Sequence, residues 1–172
     1  LKVTTPEYEK EILRDQGLSL ARLDARFTGP SGDLLETTPD HDAQSSALSS
    51  AYTSLFNTYV RQELGYDGDR EYVPSRGSGD WNWGRVGGAD SWIISNNMIP
   101  NVAPDLATAL RRNPKLQILL INGVYDLATP YFAASWTMDH MGLTPDLRDN
   151  IERADFEAGH MMYVNQQVRV DQ

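Results

Sequence analysis

The chain has 172 residues, enough for one domain with its own core, and its 40% apolar and 23% charged residues are globular proportions. A net charge of −9 argues against a nucleic-acid binder, which needs a basic stripe to displace phosphate counterions, and disfavours docking on anionic membranes. No apolar run is long enough to span a bilayer, and the absence of cysteine excludes disulfides, thiolate catalysis and Cys-ligated zinc. The sequence starts at Leu1 without a signal-peptide pattern, as expected if a targeting segment has been cut away.

Thr5-Pro6, then Glu7, Glu9 and Glu11, with Gly17 behind, predict a first helix: polar cap, proline in the first turn, acids near the positive end, glycine stop. Residues 18–44 are rich in Gly, Pro, Asp and Thr and read mainly as loop. From about Ser45 to Leu64, Leu48, Tyr52, Leu55, Phe56, Tyr59 and Val60 recur at helical spacing, and Gly65 ends the run. The following thirty-odd residues, through Trp81, Trp83 and Gly87-Gly88, are irregular and aromatic. A helix over Pro104 to Arg112 leads to an Ile/Leu-rich strand at 116–122, of the kind buried on both faces of a parallel sheet. A helix near 130–141 follows, with Phe132, Trp136 and Met141. A helical turn opened by Thr144-Pro145 then leads to a second strand near 150–156.

The unit from 116 to 156 is therefore a parallel strand–helix–strand crossover of an open α/β sheet, in which ligands bind beyond the carboxyl ends of the strands. Asp126 stands after the glycine turn that ends the first strand, and His160 stands behind Gly159 just past the second. Alone, Asp126 is a turn aspartate and His160 a loop histidine. Together, acid before histidine at matching strand ends is the order of an α/β-hydrolase whose nucleophile lies earlier in the chain. The carboxylate of such a pair orients the histidine and stabilises the imidazolium formed when it takes the nucleophile's proton. No G-x-S-x-G elbow occurs, and Ser31 and Ser78 lie in the wrong contexts. Two parallel strands are too few for a free-standing doubly wound sheet, so the chain is expected to belong to a larger fold.

Other candidates are weaker. Asp67, Asp69 and Glu71 alternate like part of a calcium loop but lack its glycine and terminal glutamate, and read as a solvated acidic loop. His41 and His140 lack partners at metal-ligand spacing and read as surface residues. Trp81 and Trp83 could stack on a sugar, but anchoring a long loop is the plainer reading. Arg76-Gly-Ser-Gly79 precedes no predicted helix and has no phosphate-loop lysine.

At these residues the chain resembles the serine carboxypeptidase family, in its bacterial branch. Gly123-Val-Tyr-Asp126-Leu-Ala-Thr-Pro130-Tyr-Phe-Ala resembles the segment around the family's catalytic aspartate, and Glu157-Ala-Gly-His160-Met161 the segment around its histidine. Arg22-Leu-Asp-Ala-Arg-Phe-Thr-Gly-Pro30 and Glu63-Leu-Gly-Tyr66 are similar more loosely, so the resemblance covers nearly the whole chain. One departure is Val124, where many relatives have an aspartate two residues before the catalytic one.

The resemblance implies the C-terminal part of an α/β-hydrolase fold. Residues 1–110 would be the latter part of a mostly helical cap and its return to the sheet, and 111–172 the last core strands with the catalytic pair. It further implies that Asp126 and His160 are catalytic, that Thr129 and Met161 line the pocket for the leaving residue, and that neither metal nor cofactor is needed. The nucleophilic serine and oxyanion hole would lie in the N-terminal half of the same polypeptide, outside this chain. Peptide C-termini would be the substrate, and the protein secreted or periplasmic. Alternatives are an acyltransferase on the same scaffold and a binding module that kept the fold and uses its aromatic loops. Alone, the chain is expected to be inactive, and either to self-associate or to retain the N-terminal half over its apolar strand.

Overall fold

The computed structural model describes residues 2–75 and 101–164; Trp81, Trp83, Ser78 and the glycines between Arg76 and Gly79 lie outside them. Helix α1 (Thr5–Glu11) is capped one residue earlier than the sequence suggests, by Thr4. The Glu7 carboxylate accepts from the Thr4 amide at 2.6 Å and from its hydroxyl at 2.8 Å, satisfying donors that the helix start leaves open. The helix is also shorter than expected. It gives way to a tight turn, Arg14–Gln16, closed by Gly17 at φ +68°, a left-handed conformation that favours glycine.

Residues 18–44 are not all loop. β1 (Leu18–Leu20) and β2 (Thr28–Pro30) form a short antiparallel pair, with Ser19 opposite Gly29. Three residues give too little alternation to be seen in sequence, and the inward residue of β1 is the polar Ser19, fully buried between two leucines. Helix α2 (Ala43–Thr58) is capped by Asp42, whose Oδ1 accepts from the Ser45 amide at 2.7 Å. It runs into a wider turn, Tyr59–Glu63, where the Leu64 amide reaches back five residues to Tyr59 O, and then stops at Gly65 with φ +65°.

The second half holds the crossover. Helix α3 (Ala103–Arg112) precedes β3 (Ile118–Gly123), α4 (Tyr131–Asp139), α5 (Pro145–Arg148) and β4 (Ile151–Phe156). β3 and β4 pair in parallel from Ile118 opposite Ile151 to Gly123 opposite Phe156, so both strands end at the same edge. Their ends are tied side to side, the buried Asn122 donating to Asp155 Oδ1 at 2.8 Å. The architecture is mixed α/β, with two small two-stranded sheets among the described residues.

The core lies on one side of β3–β4. Ala107 and Leu110 of α3 meet Met141, Leu143 and Leu147, with Leu116, Ile118 and Ile151 packed against them. The other side of β3 is open: Leu119 and Ile121 are exposed, α4 buries no residue, and its Phe132 and Trp136 face solvent. The apolar stripe of α2 is likewise uncovered at Tyr52, Leu55, Phe56 and Tyr59. Within the described residues β3 is covered on one face only, because they hold a single apolar layer to lay against it. No helix among them is long and apolar enough to cross a membrane.

Leu110 is fully buried at the centre of this core, so Leu110→Ala removes apolar contacts that little can collapse to replace. The expected loss is about 2–5 kcal/mol, read as a lower urea midpoint with an unchanged slope.

Candidate active site

Asp126 sits in the turn after β3, where the Gly123 carbonyl accepts from its amide at 3.2 Å. Its side chain is 4% exposed, yet both oxygens are fully engaged. Oδ1 accepts from the amides of Ala128 at 2.8 Å and Thr129 at 3.0 Å; Oδ2 accepts from the Thr129 hydroxyl and from His160 Nδ1 at 2.7 Å. Burial by itself raises the Asp126 pKa, but the bonds from Thr129, His160 and Ala128 outweigh it and hold the carboxyl below the usual aspartate range. An ionised carboxylate only accepts, so the proton between the two residues belongs to Nδ1. That fixes the tautomer and leaves the Nε2 lone pair free. No hydrogen bond to Nε2 occurs among the described residues.

His160 is held through its backbone. Its amide donates to Leu23 O at 2.7 Å, and Leu23 belongs to the segment Arg22–Phe27, which passes between the two strand-end loops. The same segment grips the other loop, with the Ala25 amide on Tyr125 O at 2.9 Å and the Leu127 amide on Arg22 O at 3.0 Å. Its own shape is set by Asp24, 1% exposed, which accepts from the Arg26 amide, Nε and Nη2 at 3.1, 2.9 and 2.6 Å. Arg26 then donates to Glu157 O at 3.0 Å and lies 4.8 Å over the Tyr125 ring.

Two glycines admit this threading. A Cβ at Gly159 would lie 2.4 Å from Leu23 O and from the Asp24 Cβ, and one at Gly123 would lie 2.2 Å from Gly159 O. The sequence of Arg22–Pro30 carries no pattern that assigns it this role. Its signal was the acidic and basic pair two residues apart, but nothing local shows that the pair faces two loops a hundred residues away.

Asp126 and His160 are thus brought together across 34 residues, with Thr129 bridging them: its Oγ1 also lies 3.2 Å from Nδ1. The exposed face of His160 borders a cavity of about 600 Å³, with Glu9, Arg22, Asp42 and Ala128 on its wall. Met161 borders a second cavity of about 770 Å³ along α2, with Gln44, Tyr52 and Tyr72; Leu23 and Ser45 line both, so the two adjoin. At Val124 no carboxylate is present, and its amide continues the strand ladder to Phe156 O at 3.0 Å.

The remaining candidates lie elsewhere. Ser31 accepts from the buried Lys10 ammonium. His41 pairs with Asp40 at 3.1 Å. His140 stacks on Trp136 with ring centroids 3.9 Å apart. Asp67, Asp69 and Glu71 lie on an exposed irregular stretch, and no group of three or more His, Asp and Glu side chains converges as a metal site among the described residues.

No family model, no curated protein and no solved structure matches this chain.

Two outcomes test the geometry. Because folding lowers the Asp126 pKa, its ionised form stabilises the native state above the unfolded value of about 4, and that contribution fades as pH falls through the folded value. The melting-temperature gap between the parent and Asp126→Asn should therefore be full near neutrality and narrow in acid; a gap that does not titrate contradicts the bonding described. Gly159→Ala should shift the His160 imidazole NMR resonances, since Leu23 O must retreat from the added methyl group.

Proposed function

We propose that this chain supplies the acid–base half of a serine-type carboxypeptidase with an α/β-hydrolase fold, the nucleophilic serine being delivered from outside these residues. One observation carries the reading: a buried, fully hydrogen-bonded carboxylate orients a histidine at the ends of adjacent parallel strands, and Nε2 is left unbonded beside a cavity. In the proposed reaction the serine hydroxyl attacks the last peptide carbonyl while Nε2 takes its proton. The imidazolium returns that proton to the leaving nitrogen as the C–N bond breaks, and a water activated by Nε2 then releases the acyl group. Asp126 stabilises the imidazolium throughout. Thr129 steadies the pair, and Met161 borders the adjoining cavity along α2. The resemblance of the Asp126 and His160 segments to the serine carboxypeptidases supports the choice of peptide C-termini as substrate, and a secreted or periplasmic setting.

Incubated alone with a blocked dipeptide and a fluorophosphonate probe, the chain should show neither turnover nor stoichiometric serine labelling; either one relocates the nucleophile to these residues. In a polypeptide that also carries the nucleophile, His160→Ala should abolish nearly all turnover. Asp126→Asn should lower kcat by roughly 10⁴-fold with little change in substrate binding, because the wrong imidazole tautomer is then favoured. Parental kcat in both variants refutes the reading. The open side of β3 gives a second test. Light scattering with intact-mass analysis should find the chain associated with itself or with a second polypeptide of the same parent, and a monomer at all concentrations opposes this.

A further inference from the structure

The His160 ring stands half in solvent, with 47% of its side chain exposed, and two polar side-chain contacts hold it among the described residues. One is Asp126 Oδ2, 2.7 Å from Nδ1; the other is Thr129 Oγ1, 3.2 Å from the same nitrogen. The Thr129 hydroxyl has a single proton, and it donates that proton to Asp126 Oδ2 at 2.5 Å. Oδ2, Oγ1 and Nδ1 therefore form a closed triangle. The acid–base pair uses one side of it and leaves the other two without a task.

The hydroxyl does two things that the carboxylate cannot do alone. With its proton on Oδ2, Oγ1 turns a lone pair toward Nδ1, so a ring with hydrogen on Nδ1 meets two acceptors. The other tautomer would set a bare Nδ1 lone pair against both oxygens unless the hydroxyl gave up Asp126. A ring tied at one point also swings about that bond, whereas contacts to two atoms fix its direction and the aim of Nε2. Thr129 and His160 are both exposed, and water can replace a lost hydrogen bond there, but a mobile water does not hold a ring in one direction.

Sharing Oδ2 has an electrostatic consequence. Burial raises the Asp126 pKa, and the Thr129 hydroxyl is foremost among the bonds that outweigh it, because it takes up part of the charge on the ionised oxygen. What Thr129 takes up is no longer offered to a protonated imidazole. Loss of the Oγ1 contact to Nδ1 acts in the opposite sense. That contact is longer and its acceptor neutral, so it is the smaller effect.

We propose that the Thr129 hydroxyl is a positioning group for His160, fixing its tautomer and ring direction and limiting how tightly Asp126 holds the imidazolium, so that Nε2 stays a free base to lower pH. This rests on the reading of His160 as the general base and adds the element that tunes it. The other charged or titratable groups around the ring are Glu9, Arg22, His41 and Asp42 on the cavity wall and Asp24 against Gly159. A change at Thr129 alters none of them, so a difference between parent and variant reports the hydroxyl.

Thr129→Val keeps the shape of the side chain and the amide bond to Oδ1 but removes the hydroxyl, and Thr129→Ser restores it. In imidazole nitrogen NMR of the whole chain, His160 of Thr129→Val should become protonated at a pH higher than in the parent by about half a unit or more. Its Nδ1 and Nε2 signals should draw together as the second tautomer is populated, and Thr129→Ser should return both readouts to the parental position. A merely structural role would lower the melting temperature and move neither. Thr129→Ala carries the same expectations and decides the matter if Thr129→Val does not fold. In a polypeptide that also carries the nucleophile, the acid limb of kcat/KM should rise with the NMR titration, and kcat should fall roughly tenfold with KM little changed.

Unchanged or downward titration in the variants, unchanged nitrogen signals, or changes that Thr129→Ser does not reverse each overturn the proposal. The expected NMR changes without hydrolysis by the nucleophile-bearing polypeptide sink the peptidase reading alone. Hydrolysis whose acid limb is the same in parent and Thr129→Val sinks this proposal alone.

Discussion

Six residues, Arg22–Phe27, lie between the turn after β3 and the turn after β4, and the relation between Asp126 and His160 depends on them. Both turns are short, and each would be free to drift if tied only to its own strand. Instead the Leu127 amide is tied to Arg22 O, the Ala25 amide to Tyr125 O and the His160 amide to Leu23 O, each by a bond of 2.7–3.0 Å. The pair of buried Asp24 and exposed Arg26 keeps this segment bent. Removing Arg26 would leave the Asp24 charge buried and short of its partner, the costly half of such a pair. A helical and loop-rich N-terminal region thus sets the distance between two side chains of the C-terminal sheet.

Two buried carboxylates in the chain show how environment assigns roles. Asp126 has four donors on its two oxygens, and its pKa is held down despite burial. Glu9 is equally inaccessible, has an oxygen with no donor at all, and its pKa is pushed up. The first carboxylate is complete and can only orient and stabilise. The second has an oxygen that no donor reaches. Burial is common to both, so the count of donors decides which way each pKa moves.

The sequence made β3 legible because a run of Ile and Leu just after Gln117 reads as a strand, and Gly123 and Gly159 mark where the two strands end. Asp126 and His160 followed from those ends. The role of Arg22–Phe27 was not legible: Arg26 and the Glu157 carbonyl are 131 residues apart, and no local pattern encodes a contact at that separation. The β1–β2 pair was hidden by its length and by a serine turned inward. Glu7, Glu9 and Glu11 all suit a helix start by their place in the sequence, and Glu7 does serve the cap. The burial of its neighbour depends on what packs against α1, which a helical period does not state.

Two kinds of incompleteness occur at the same end of the molecule, and one addition would answer both. β3 pairs only with β4 among the described residues, so its other edge offers unpaired amides and carbonyls, and Leu119 and Ile121 stand uncovered on its face. A further parallel strand at that edge would lie about 4.8 Å away, would bring its own crossover layer over the open face, and would end level with Gly123. The loop leaving such a strand would emerge beside the turn that holds Asp126. Strand pairing, apolar cover and a loop beside Asp126 are then consequences of one geometric fact, that parallel strands all end at the same edge of their sheet.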